Sequence, residues 1–211
     1  MARTDYNKIF EATLEDIRAK GAVPSVLLHS CCAPCSSACL QRLAQDFSVT
    51  VFYYNPNLYP EEEYHHRASE QERFVKLFPA AHPISFIEGD YDRSAFFDAI
   101  KGLEDIPEGG ERCFACYRMR LEATAGLAAR RGFDFFTTTL SISPLKNAGV
   151  LNETGAELSE KYGVPYLFSD FKKKDGFKRS TELSAQYGMY RQDYCGCEFS
   201  LAERRAHKEG A

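Results

Sequence analysis

A chain of 211 residues can bury roughly 70% of its unfolded surface in one core and is short for two independent domains. Its 44% apolar and 27% charged residues are those of a globular protein, no run approaches the ~18 apolar residues of a membrane span, and the amino terminus is polar rather than signal-like. Length, composition and the missing apolar run together argue against a membrane protein, a disordered chain or a secreted mini-domain, and the net charge of −4 is uneven, with 10 basic and 16 acidic residues up to Asp105 and 16 basic and 14 acidic beyond it, which allows a basic face.

From Thr4 to Lys20 the apolar positions Tyr6, Ile9, Phe10, Leu14 and Ile17 recur at three- and four-residue spacing and predict an amphipathic helix, which Val23-Pro24 ends. Ser25 to Ser30 reads as a short buried strand running into the first cysteines. Ser37 to Gln45 favours a helix. Val49 to Tyr54 is a second strand stopped by Asn55-Pro56-Asn57, and Glu61 to Phe78 is a long helix. The histidines, including those of Tyr64-His65-His66, are expected on helix surfaces. Ile84 to Ile87 is a third strand. The alternation resumes with a helix over Cys113 to Arg131, a β-rich run over Phe133 to Leu140 and a helix over Asn152 to Tyr162 with Asn152 as its cap. A strand over Pro165 to Phe168 and a helix over Arg179 to Tyr187 follow.

Strands and helices alternating at these lengths predict a single α/β domain with a doubly wound, mostly parallel sheet. Its parts would be an N-terminal helix over 1–22, a catalytic core over 23–198 and a C-terminal tail over 199–211. In such a sheet the ligand site lies beyond the carboxyl ends of the strands, where the strand order reverses. The first cysteine group falls just after the first strand.

Seven of the eight cysteines form three groups: Cys31-Cys32-Ala33-Pro34-Cys35, Cys113-Phe114-Ala115-Cys116 and Cys195-Gly196-Cys197. Two residues between cysteines let both sulfurs converge on one metal or cluster while the backbone turns. Pro34 disfavours helical geometry at Ala33 and would fix the exit of the loop. Structural zinc takes four ligands, often with histidine, and seven clustered thiols exceed that. Four suffice for an iron–sulfur cluster and leave a spare pair, for which Cys195-Gly196-Cys197 is the natural candidate: oxidised, it closes a small strained ring, and strained disulfides are the labile ones. Cys39 reads as a packed core residue. Three independent buried cysteine pairs are the alternative.

The runs Leu28 to Cys35, Tyr53 to Asn57, Glu111 to Arg120, Thr138 to Asn147, Asp170 to Lys173 and Tyr190 to Cys197 resemble the QueH type of epoxyqueuosine reductase, in the order of that family and across most of the chain. The resemblance implies an α/β fold of the nucleotide-hydrolase-like (HUP or Rossmann-like) type. It also implies an oxidoreductase that reduces epoxyqueuosine to queuosine in a tRNA anticodon loop, without cobalamin. Cys31, Cys32, Cys113 and Cys116 would then hold a four-iron, four-sulfur (4Fe-4S) cluster, Cys35 would contact an additional mononuclear iron, and Cys195 and Cys197 would be the redox-active pair. The partners implied are tRNA carrying epoxyqueuosine and an unidentified electron donor, in the cytoplasm, with no membrane.

Losing the epoxide oxygen as water needs two electrons, two protons and a Lewis acid. Asp193 or Tyr194 are candidate proton donors, and Ser141, Ser143 and Lys146, after a strand's carboxyl end, candidate substrate contacts. Tyr117 and Arg120, just after the second cysteine group, are further candidate substrate contacts, with Arg120 either meeting RNA phosphate or pairing with Glu122 and its neighbours. The basic clusters at Arg118/Arg120, Arg130/Arg131, Lys172 to Lys174, Lys178/Arg179 and Arg204/Arg205 suit either solvated helix faces or a phosphate backbone. A sulfonucleotide-reductase-like or tRNA-thiolation enzyme would need a glycine-rich pyrophosphate loop where Ser30-Cys31-Cys32 stands. A zinc-binding RNA module would contain zinc without sulfide.

Overall fold

Four strands, β1 (Ser25–His29), β2 (Ser48–Tyr53), β3 (Ile84–Glu88) and β4 (Phe135–Thr138), pair in parallel in the order β3-β2-β1-β4. The structure is a computed structural model and describes residues 4–209. Leu27 on the central strand faces Thr50 of β2 on one side and Phe136 of β4 on the other. The chain runs β1, β2, β3 outward, then returns across β1 to lay down β4. The order therefore reverses between β1 and β4, and a ligand site belongs at their carboxyl ends. Strands buried on both faces need apolar residues at nearly every position, which Ser25-Val26-Leu27-Leu28-His29 supplies.

Helices α1 (Tyr6–Ala19), α2 (Ala33–Leu43), α3 (Glu61–Leu77) and α7 (Gly176–Gln186) contribute to one core with Val26, Leu28, Val49 and Val51. On the opposite face α5 (Glu111–Arg131) and α6 (Ala148–Tyr162) pack on Leu27 and Phe136. The pleat explains the division, since Val26 and Leu28 point to one side and Leu27 to the other. Two further helices are α4 (Arg93–Ile100), which packs against α5, and α8 (Glu198–Glu209). The result is one α/β domain of Rossmann-like architecture. Among the described residues no helix is long and apolar enough to cross a membrane.

Several expectations are corrected. Ala33 is helical: α2 begins there with Cys32 as its N-cap, because a proline in the first turn lacks only an N–H that would be unpaired anyway. Cys35 and Cys39 thus share one helix. Asn147, not Asn152, caps α6, accepting from the N–H groups of Gly149 and Val150. Asn152 lies inside that helix, fully buried, and its amide bonds to the carbonyls of Ala148 and Ser169 and to the Ser169 N–H. The β-rich run stops at Thr138 and tightens into a 3₁₀ turn over Thr139–Ile142. Pro165 to Phe168 reduces to a single bridge between Tyr166 and Phe136. His29 is not on a helix surface but buried in β1, between the Thr138 hydroxyl at 2.9 Å and the Tyr54 carbonyl at 3.1 Å. The expected tail is the helix α8 as far as Glu209, and residues 1–3 and 210–211 of the outer segments lie outside the described residues.

Candidate thiol and metal site

At the carboxyl end of β1 the backbone passes from Cys31 to an extended Cys32 (φ −174°) and into the first turn of α2. That change of direction brings neighbouring cysteines together and adds Cys35 from the helix. The Sγ atoms of Cys31, Cys32 and Cys35 all lie within 4.8 Å of one another, and those of Cys31 and Cys32 are 3.8 Å apart. Thr139, just beyond β4, approaches Cys31 with its hydroxyl, 3.5 Å from the backbone N and 3.8 Å from Sγ. The triad therefore sits at the reversal point of the sheet.

Its electrostatics are asymmetric. Hydrogen bonds from the Cys32 and Cys35 thiols hold the Cys31 pKa well below its usual value, with Lys146 and Arg120 adding to the effect. As the donors in those bonds, Cys32 is pushed up to about 12 and Cys35 well above its ordinary value. Three sulfurs of which one gives up its proton most readily suit a soft cation, whose binding releases protons.

Cys113 and Cys116 stand one turn apart at the start of α5. The Gly109 N–H donates to Cys113 Sγ at 3.3 Å, while Cys116 packs with Cys197, Phe96 and Ile100. A turn further on, Arg120 is 2% exposed; its Nε donates to the Cys116 carbonyl and its Nη2 has no partner among the described residues. Burial opposes its charge, but the sulfurs of Cys116, Cys195 and Cys31 outweigh this and raise its pKa.

The loop before α8 carries the last pair. Lys146 Nζ donates to Cys195 Sγ at 3.4 Å, Arg67 Nη1 to the Cys195 carbonyl at 3.3 Å and the Tyr59 N–H to the Gly196 carbonyl at 2.8 Å. Gly196 has φ +127°, and a Cβ there would lie 2.2 Å from Leu58 Cδ2, so only glycine fits. Cys197 is buried, its Sγ 3.4 Å from the Ser200 N–H. All eight cysteines are free thiols. Gln192 Nε2 donates to Cys32 Sγ at 3.0 Å and ties this loop to the triad. A cavity of about 420 Å³ brings Cys31, Cys35, Lys146 and Cys195 to one space, with Phe177 and Arg191 also on its wall.

The donor set fits a metal–sulfur group. Three thiols stand within ligand reach of one cation, and two buried guanidinium groups, Arg67 and Arg120, each keep an Nη2 without a partner among the described residues. Arg67 is already paired with Glu63, whereas Arg120 has no carboxylate partner among the described residues; an unpaired buried cation is costly, and an anionic metal–thiolate group beside it offsets that cost. The geometry groups Cys35 with Cys31 and Cys32. Among the described residues, Cys113 and Cys116 join no set of three within 4.8 Å.

Other expected site residues lie as follows. Lys146 lines the cavity, burial opposing its charge while Cys195, Tyr117 and Cys31 raise its pKa. Ser143 shapes the turn that delivers Lys146, its hydroxyl accepting from the Leu145 N–H. Ser141 is fully buried and bonded to the Phe171 N–H, and Tyr117 and Arg120 are also buried, so none of these three forms an exposed contact for RNA. Asp193 is held ionised by Lys208 and Arg204, the state that gives up no proton, and Tyr194, pushed up to about 12 by burial, donates to the Tyr59 carbonyl. Arg67, Gln192 and Thr139 were not foreseen. Arg67 hides in the sequence as an ordinary Glu63–Arg67 helix pair, although its spacing from Tyr64, Gln71 and Phe74 places it on the buried face.

A thiol triad able to hold a metal ion at the reversal point of a parallel sheet, facing a lysine-contacted cysteine loop, defines an α/β protein with a candidate metal site. The family model described as "Epoxyqueuosine reductase QueH" matches residues 26–203. A protein of that name from Staphylococcus epidermidis is 41% identical over 206 residues, covering 96% of this chain and 87% of the relative. The Streptococcus pyogenes serotype M1 protein is 40% identical over 200 residues (94% and 78%), and the Thermotoga maritima protein 37% over 184 residues (86% and 92%). The chain belongs to the epoxyqueuosine reductase QueH family.

Proposed function

We propose that this protein reduces epoxyqueuosine to queuosine in the anticodon loop of tRNA, in the cytoplasm and without cobalamin. The observation that carries the reading, beside family membership, is the meeting of Cys31 and Cys35 of the triad with Lys146 and Cys195 around one cavity. Removing the epoxide oxygen as water and leaving a double bond consumes two electrons and two protons. Oxidation of the Cys195 and Cys197 thiols to a disulfide releases the same number, and an external donor then restores the dithiol.

Cys31, Cys32, Cys113 and Cys116 would hold a 4Fe-4S cluster, with Cys35 turned to an additional iron. When bound, such iron–sulfur chemistry supplies single-electron transfer and a Lewis acid for the departing oxygen. Lys146 is a proton-bearing group on the cavity wall beside Cys195 and would hydrogen-bond that oxygen, and Ser143 orients it. Tyr117, Arg120 and Ser141 support the site from within the core. Asp193 anchors the Cys195 loop to Arg204 and Lys208 of α8.

The test is deletion of the gene in a host lacking a cobalamin-dependent epoxyqueuosine reductase, followed by mass spectrometry of digested tRNA. Epoxyqueuosine should accumulate and queuosine disappear; unchanged queuosine overturns the reading. Metal analysis of anaerobically prepared protein should find iron with inorganic sulfide. Zinc without sulfide would overturn the cluster assignment.

A further inference from the structure

We propose that the two thiols of the Cys195-Gly196-Cys197 loop have unequal and fixed roles: Cys195 is the sulfur that exchanges with molecules entering the cavity, Cys197 is its buried partner, and Lys146 is the positioning residue that presents Cys195. This rests on the reading of the pair as redox-active, but its test requires no epoxyqueuosine.

Three independent features break the symmetry of the pair. Cys195 lines the cavity with Lys146, whereas Cys197 is 8% exposed and packed with Phe96, Ile100 and Cys116. The sulfurs also have different partners, an ammonium at 3.4 Å for Cys195 and the Ser200 N–H at 3.4 Å for Cys197. Finally, the backbone between them cannot turn over to exchange the two positions. The carbonyls of Cys195 and Gly196 are held by Arg67 and Tyr59, and the positive φ of Gly196 fits against Leu58 with no room for a Cβ. An accessible thiol beside an ammonium is the arrangement found in reactive cysteines, and an enclosed one that of inert cysteines.

The exchange step follows from this layout. A thiolate of a dithiol reductant attacks Cys195 Sγ of the oxidised pair. A new S–S bond forms, the Cys195–Cys197 bond breaks, and its electron pair leaves on Cys197 Sγ beside the Ser200 N–H. The second thiolate of the reductant then attacks its own tethered sulfur, closes its own disulfide and releases Cys195 next to Lys146. The reductant is oxidised by two electrons, the pair gains them, and two protons are taken up.

The experiment is pulse alkylation of the reduced, iron-loaded protein with iodoacetamide under anaerobic conditions, with each cysteine followed by peptide mass spectrometry. Cys195 should label at least ~10-fold faster than Cys197, the direction expected for an accessible thiol beside a cation. Lys146→Met should slow Cys195 by about the same factor and Lys146→Arg should restore it, while labelling of Cys197 stays constant. Glutathione disulfide should form a mixed disulfide with Cys195 in Cys197→Ser and none with Cys197 in Cys195→Ser. Equal labelling, faster labelling of Cys197, or a mixed disulfide on Cys197 overturns the assignment. Because wild-type labelling reads no turnover, these outcomes are separate from the fate of epoxyqueuosine in the tRNA test.

Discussion

The Gln192 amide donates to the Cys32 sulfur at 3.0 Å across 160 residues of sequence, joining the cysteine loop before α8 to the triad at the end of β1. The contact is partly buried, and Gln192 Oε1 has no partner among the described residues, so the side chain is committed to sulfur. An N–H donor to a metal-bound thiolate steadies the charged form of that sulfur.

Gln192→Ala should therefore weaken metal retention. A hydrogen bond of this kind is worth about 1 kcal/mol, or roughly a fivefold faster loss of iron to a chelator. Absorbance of the iron–sulfur chromophore during chelator challenge measures it. Loss at the wild-type rate would show that the bond has no part in holding metal.

Gly196→Ala tests the loop geometry. The added methyl meets Leu58 Cδ2 at 2.2 Å and Arg67 Nη1 at 3.1 Å, in a backbone conformation that disfavours any side chain. Epoxyqueuosine reduction should fall by at least ~100-fold, as expected for a displaced reacting group. Far-ultraviolet circular dichroism should stay near wild type. Leu58→Ala in the same chain should recover part of the loss, because it removes the steric clash and leaves only the backbone strain. Full activity in Gly196→Ala alone would contradict the geometry.

At the opposite end of the sheet, Asp134 accepts from the Ser25 hydroxyl at 2.7 Å and the Ser25 N–H at 2.8 Å, and these bonds lower its pKa. A lowered carboxylate pKa gives stability that is present above the unfolded value of 3.8 and is lost as pH falls through the folded value. The group is exposed, so solvent screening keeps the contribution to about 1 kcal/mol. Asp134→Ala should lower stability in urea by that amount at pH 7, and the difference should vanish on acidification below the lowered pKa. A difference that does not change with pH would mean that the bonds to Ser25 are not what stabilises the pair.

Asn152→Ala should be the most destabilising of these changes. It removes two donated bonds and one accepted bond in a fully buried position and leaves the Ser169 N–H without its acceptor. The expected cost is about 3 kcal/mol, measured by urea denaturation. A cost under 1 kcal/mol would show that water replaces the amide.

These positions also show how far the amino-acid sequence discloses the structure. The parallel sheet and the placing of Cys31 after β1 were legible, because apolar runs such as Val26-Leu27-Leu28 and helix-length periodicity are local signals. The α4 helix escaped because eight residues with only Phe96 and Ile100 buried give too few repeats to set a period. Asn152 was misread because a cap and a buried hydrogen-bonding asparagine share the same chemistry, and only the approach of Ser169 distinguishes them. At the site, grouped cysteines announced themselves, whereas Arg67 and Gln192 act across 128 and 160 residues, a relation that no spacing records.

The strand order has one more consequence. With β2 and β4 on its flanks and helices on both faces, β1 is an interior strand whose amides are shielded from water, so Leu27 and Leu28 should be among the last to exchange their protons for deuterium. The triad hangs from the end of that strand. Its backbone anchor should therefore hold while the cavity beside it stays open, so a chelator should remove metal from the triad well before the sheet unfolds.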